Sequence, residues 1–303
     1  MNRRHFIATA PALSLLTLPQ DKTRRWPISC NTYNWFTFYQ REGKSWGKNV
    51  EEDIRAFTSS GLTAIEPNIL SVEMGGELIS VLKKYQVSMP SIYVNSVLHK
   101  AEEIRSSTAT ILAIADLVQP YGTRIIVTNP SPIAWGQNIL KSDAELIVQA
   151  QALDELGAQL RQRGLTLAYH THDMEMKGGA REFHHMLLNT SSRNMSFCFD
   201  LHWVYRGTDN SVVAVMDVLK MYGSRIAELH IRQSRNHIWQ ETFTADGDIN
   251  YHNVVVELKR LKVRPHLVIE QCIETNTPRH LDAVAAHKLD LAEVQRTFAP
   301  IWS

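Results

Sequence analysis

Cysteine is scarce in this chain. Cys30, Cys198 and Cys272 are the only three in 303 residues, and no two form a C-x-x-C pair. That removes cysteine-based zinc sites and thioredoxin-type chemistry and makes a disulfide framework improbable. Each cysteine lies in an apolar run that reads as a strand, where a free thiol packs as a small hydrophobe. A surplus of one charge is missing as well: 32 basic and 31 acidic residues leave a formal net charge of +1. Nucleic acid is therefore not an expected partner, since a phosphate backbone calls for a clustered basic surface. No low-complexity linker divides the chain, and no G-x-G-x-x-G follows the first strand pattern to mark a dinucleotide site. What remains, 44% hydrophobic and 21% charged, is the composition of one ordinary globular domain.

The first residues, M-N-R-R-H-F-I-A-T-A-P-A-L-S-L-L-T-L-P-Q, join a basic start to an apolar segment too short to span a bilayer, so stable membrane insertion is not expected. Arg3-Arg4-His5-Phe6-Ile7 resembles a twin-arginine signal. Residues 1–25 are read as an export segment, with a periplasmic or exported destination, and residues 26–303 as the folded domain. A cytoplasmic protein with a helical N-terminus is the alternative.

Eight short apolar runs follow: P-I-S-C-N-T-Y, L-T-A-I-E-P, V-S-M-P-S-I-Y-V, R-I-I-V-T-N, L-T-L-A-Y-H, M-S-F-C-F-D, R-I-A-E-L-H-I and H-L-V-I-E-Q. Between them, apolar residues recur at helical spacing over 50–59, 78–85, 101–118, 144–163, 212–221 and 254–261. Gly61, Gly122, Gly164 and Gly223 stand near the ends of helical patterns, where helix C-caps belong. Eight strands alternating with helices over about 250 residues predict a single-domain α/β fold, a (β/α)8 TIM barrel. An open doubly wound sheet is the alternative.

In such a barrel the chemistry sits at the C-terminal strand ends, and the polar residues collect there. His170, Asp200, His230 and Glu270 leave strands five to eight; two imidazoles and two carboxylates suit one divalent ion, manganese first, with zinc, cobalt or iron as alternatives. Each also has a plainer role open to it, as a hydrogen-bonded histidine or an arginine-paired carboxylate. His172, Asp173 and Glu175 are placed in the loop after strand five, His172 as an acid or base and Glu175 against substrate. Glu66, ending an apolar strand before Pro67, is expected to have a raised pKa from burial and to carry protons. Trp35, Trp135, Trp203 and Trp239 follow strands one, four, six and seven and offer flat walls for sugar rings, or simply anchor loops. Asn34 and His202 stand at strand exits, and Arg206 and Arg232 could fork onto an anionic or polyhydroxyl group.

With these residues placed, the chain resembles the xylose-isomerase-like TIM-barrel superfamily, in particular its sugar phosphate isomerase/epimerase group, over roughly residues 27–299. The likeness is carried by G-L-T-A-I-E-P-N, Y-H-T-H-D-M-E (a Y-H-N-H-type strand five), F-D-L-H-W-V, A-E-L-H-I-R-Q-S and V-I-E-Q. It implies one divalent ion held by Asp200, His230 and Glu270. His170 stands where the commonest pattern has glutamate, and Arg232 and Gln233 replace the lysine and aspartate of H-x-K-D. The resemblance implies a carbohydrate substrate and proton removal beside a carbonyl, with Glu270 or Glu66 as proton carrier and His172 as partner. Isomerisation or epimerisation is the first expectation. β-Elimination from a keto-glycoside is the second, and a non-catalytic sugar-binding barrel the third. Nothing in the sequence sets the oligomeric state.

Overall fold

The computed structural model describes residues 27–302; the export segment expected at 1–25 lies outside the described residues. The elements, in order, are β1 (Ser29–Asn31), α1 (Thr32–Arg41), α2 (Val50–Ser59), β2 (Ile65–Glu66), α3 (Val72–Lys84), β3 (Ser91–Tyr93), α4 (Ala101–Val118), β4 (Ile125–Thr128), α5 (Asp143–Gln162), β5 (Thr166–Tyr169), α6 (Asp173–Leu188), β6 (Met195–Asp200), α7 (Leu201–Gly207), α8 (Val212–Tyr222), β7 (Ile226–Ile231), the hairpin strands β8 (Ser234–Arg235) and β9 (Ile238–Trp239), α9 (Tyr251–Leu261), β10 (His266–Ile269) and α10 (Ala283–Phe298).

The main sheet runs β2-β1-β10-β7-β6-β5-β4-β3. Single bridges, Ala64 to Ser88 and Asn68 to Tyr93, bring β2 back to β3, so the sheet curls into the expected (β/α)8 barrel. Its strands read as near-continuous apolar runs because helices cover their outer face and side chains fill the interior. The parallel register sets Asp200 opposite His230 and Asn31 opposite Glu66, which aligns the polar strand ends in one layer. Among the described residues no helix is long and apolar enough to cross a membrane.

Four differences from the sequence reading have local causes. α1 follows β1 with no loop, because Asn31 both ends the strand and caps the helix, its side chain accepting from Tyr33 N at 2.8 Å. α3 begins at Val72 rather than residue 78, capped by Ser71; Gly75 and Gly76 hide its first turn, and Gly75 is small because Leu117 and Ile69 pack where a Cβ would stand. Asp173 and Glu175 lie in the first turn of α6, not in a loop, and that helix is broken at 177–180, where Gly178, Gly179 and Ala180 have φ of 60°, 74° and 56°. α10 escapes notice because its buried face carries polar His287 and Asp290, which interrupt the apolar period. Of the four glycines read as caps, Gly223 is not left-handed; it lies against the side chain of Leu261.

Candidate active site and metal centre

Four strand ends build the floor of the mouth. His170 follows β5, Asp200 ends β6, His230 lies in β7 and Glu270 follows β10; all are buried, and one donor atom from each lies within 4.8 Å of the others. His170 Nε2 is 3.8 Å from Asp200 Oδ2 and 4.0 Å from Glu270 Oε2. His230 Nδ1 is 2.6 Å from that same Glu270 oxygen. His170 Nε2 is buried without a hydrogen-bond partner, and Asp200 Oδ2 has none beyond the ion-pair approach of Arg232 Nε at 3.3 Å, an arrangement that costs free energy unless something else satisfies them. Converging imidazole nitrogens and carboxylate oxygens with unused lone pairs fit a divalent ion.

A second layer fixes His230 from behind. Its Nε2 lies 3.1 Å from Glu66 Oε1 and 3.3 Å from Glu228 Oε1, so Nδ1 is the nitrogen turned to the floor of the mouth. Glu66 in turn accepts from Asn31 Nδ2 at 2.6 Å and Ser91 Oγ at 2.9 Å. The expected rise in its pKa is not what its surroundings produce: burial pushes upward, but the neighbouring His230 imidazole and the hydrogen bonds outweigh it and hold the carboxyl well below its usual range. Burial and the charge of Glu66 push Glu228 up to about 8, so it keeps its proton at neutral pH. Glu66 is thus sealed behind His230 and does not line the mouth. Its contact is with the His230 imidazole, 3.1 Å away.

Above the floor opens a cavity of about 980 Å³ whose walls include Glu270, Arg232, His172, Trp135, Trp203, Tyr93, Asn68 and Asn95. His172 packs edge-on to His170, Trp135 and Trp203, with ring centroids 4.9, 5.3 and 5.2 Å away. Burial, then the neighbouring His170, lowers its pKa to about 3, so the imidazole is neutral. Its position comes from Glu175, which accepts from the His172 backbone N–H at 2.7 Å and from Asn129 Nδ2 at 3.0 Å. Glu175 therefore positions His172 and is not among the residues lining the cavity. Arg232 lies across the carboxylates, with Nη2 2.8 Å from Glu270 Oε2 and Nε 3.3 Å from Asp200 Oδ2, and its guanidinium stacks on Trp203 and Trp239 at 5.1 and 4.7 Å.

Other sequence candidates are not brought to the cavity. Trp35 is fully buried behind the barrel, stacked on His287 with centroids 4.6 Å apart; it has no free face for a sugar. Asn34 donates to the Ile269 carbonyl at 3.1 Å and ties α1 to β10. His202 turns away, its Nε2 2.8 Å from Ser234 Oγ, whose hydroxyl donates to Asp248 at 2.6 Å. Arg206 stays at the rim, paired with Glu274 at 2.6 Å. Two buried groups escaped the sequence reading. Glu228 stands two residues before His230 and so points to the same side of β7. Tyr93, at the end of β3, places its hydroxyl 3.5 Å from His170 Nδ1.

The family model described as xylose isomerase-like TIM barrel matches residues 54–292. The chain belongs to that family. Among relatives, inosose dehydratase from Clostridium perfringens is 24% identical over 183 residues, a match covering 51% of this chain and 60% of the dehydratase. In fold, the chain is similar to a sugar phosphate isomerase/epimerase from Parabacteroides distasonis, with a TM-score of 0.68 at 14% identity over 97% of this chain and all of that one. It is also similar to a 3-keto-D-glucoside 4-epimerase from E. coli, with a TM-score of 0.63 at 15% identity over 90% of this chain and all of the other.

Proposed function

We propose that this member of the family is a metal-dependent enzyme that removes a proton beside the carbonyl of a sugar or keto-sugar, leading to isomerisation or epimerisation. The observation that carries the reading is the convergence of His170, Asp200, His230 and Glu270 at the floor of a large cavity into which His172 also projects. A divalent ion held by those four residues, manganese being our preference, would polarise the substrate carbonyl and stabilise the oxyanion. Glu270, the one carboxylate of the set that lines the cavity, is the proposed proton carrier, and neutral His172 its partner for a proton on a neighbouring oxygen. Arg232 orients Glu270 and offers guanidinium hydrogens to substrate oxygens. The likeness to inosose dehydratase supports a second outcome from the same enolate: loss of a β-leaving group, giving a lyase or dehydratase. Export of the chain through Arg3-Arg4 would suit unphosphorylated substrates.

The test is proton exchange. Ketoses and 3-keto-glucosides incubated in D2O with metal-loaded protein should gain deuterium at the carbon beside the carbonyl, read by NMR. His172→Ala should slow that gain by roughly 10²- to 10⁴-fold while the protein still binds metal. No exchange with any of these substrates would overturn the reading, and a new alkene or released aglycone would select the lyase outcome.

A further inference from the structure

The cavity extends well beyond the floor. Besides Glu270, Arg232 and His172, the same space is walled by Tyr33 and Phe36 of α1, Trp46 of the following loop, Ile54 of α2, Leu70 just before α3 and Met74 in its first turn. Four of these are unusually open to solvent for apolar side chains: Tyr33 is 52% exposed, Phe36 44%, Leu70 64% and Met74 41%. Tyr33 and Phe36 also stack on one another, centroids 5.9 Å apart, presenting a flat aromatic surface. Contiguous exposed apolar surface of this kind marks a binding site more often than an accident of packing.

Size and charge narrow the occupant. At about 980 Å³ the cavity is at the upper end of what encloses a drug-sized ligand, and one sugar ring at the floor would leave the apolar side empty. A phosphate is a poor candidate for that space. Of the two cations lining it, Lys177 is paired with Asp173 at 3.4 Å, and Arg232 is held at the floor beside Glu270 and Asp200, while Asp53 and Glu77 add negative charge to the wall. We infer that this annex is a subsite for an apolar aglycone, aromatic or alkyl, so that the substrate is a glycoside whose sugar ring reaches the floor. The inference rests on the reading of the floor as a carbohydrate site.

Calorimetric titration tests the annex without turnover. Phenyl and octyl glucosides, of both anomers, should bind the full-length metal-loaded protein at least about tenfold more tightly than methyl glucoside or glucose 6-phosphate, as expected for burying a ring or chain in apolar surroundings. Phe36→Asp and, independently, Leu70→Asp should collapse the phenyl-to-methyl ratio towards one; both side chains are partly exposed, so folding should survive. Equal affinities, tightest binding of glucose 6-phosphate, or variants that keep the parent's ratio would overturn the inference. So would self-association that Leu70→Asp abolishes without altering the ratio, since that surface would then belong to a second copy of the chain. Because binding is read directly, an enzyme inactive in deuterium exchange would still report on the annex.

Discussion

The exits of β5, β6, β7 and β10 differ from those of β1, β2 and β3 in what they carry. The first set turns buried imidazoles, carboxylates and a guanidinium toward one point. The second turns amides inward and opens, through α1 and α3, onto exposed aromatic and aliphatic carbon. In the proposed enzyme the two sides divide the work: one polarises and moves protons, and the other recognises. Each demands a different environment. Buried charge needs partners on every side and tolerates no slack, whereas apolar recognition needs open area and little geometry.

Asp200→Ala should break the comparison most severely. It should abolish metal uptake in elemental analysis and calorimetry and with it deuterium exchange, while Asn68→Ala, on the recognition side, should keep its metal. Equal metal content in the two variants would contradict the assignment of donors. A smaller effect comes from the support beneath His172. Burial, then the charge of Glu182, raises Glu175 from 4.5 to about 7, so between those values the native state holds a proton that the unfolded chain has lost. Stability from this group is complete below about pH 4.5 and declines as pH rises through about 7, by up to about 3 kcal/mol. Denaturant unfolding of Glu175→Gln against the parent should show that decline removed; parallel pH profiles would refute it.

Glu66 sharpens the contrast because it sits on β2 yet serves the other side. Glu66→Gln should weaken metal binding by roughly 10- to 100-fold, the usual scale for a carboxylate that orients a ligating histidine, and lower exchange only through that loss. Full exchange recovery at saturating metal would support a positioning role. A defect that persists with the site filled would restore Glu66 as a proton carrier.

Much of this division is legible in the sequence. Strand runs ending in His170, Asp200, His230 and Glu270 read directly because the side-chain period of a strand and the barrel's polarity fix where such residues go. The direction of a side chain just past a strand does not read so easily. Trp35, Asn34 and His202 each lie within four residues of a strand end, but α1 and α7 begin there without a loop, and a helix turns successive residues by about 100° where a loop leaves them free. Glu66 shows a different failure: burial alone predicts a raised pKa, and an imidazole from β7 together with hydrogen bonds from Asn31 and Glu228 reverses the sign. The annex was illegible for a third reason. Its walls come from α1, the next loop, α2 and α3, and no periodicity in one segment reveals a surface shared by four.

The placement of Glu66 also bears on how the molecule is made. Its imidazole partner is far later in the chain, and β1 finds its neighbour in β10, with Ser29 and His266 in contact across 237 residues. At roughly 5–20 residues per second, on the order of ten seconds or more of translation separates the carboxylate from the group that must neutralise it. Until then the early strands would have to bury Glu66 with only Asn31 and Ser91 as partners, a cost that disfavours their settling as an independent half-barrel. Closure of the ring and satisfaction of that charge thus arrive together, late in synthesis, and a nascent chain halted before β7 should remain open to protease.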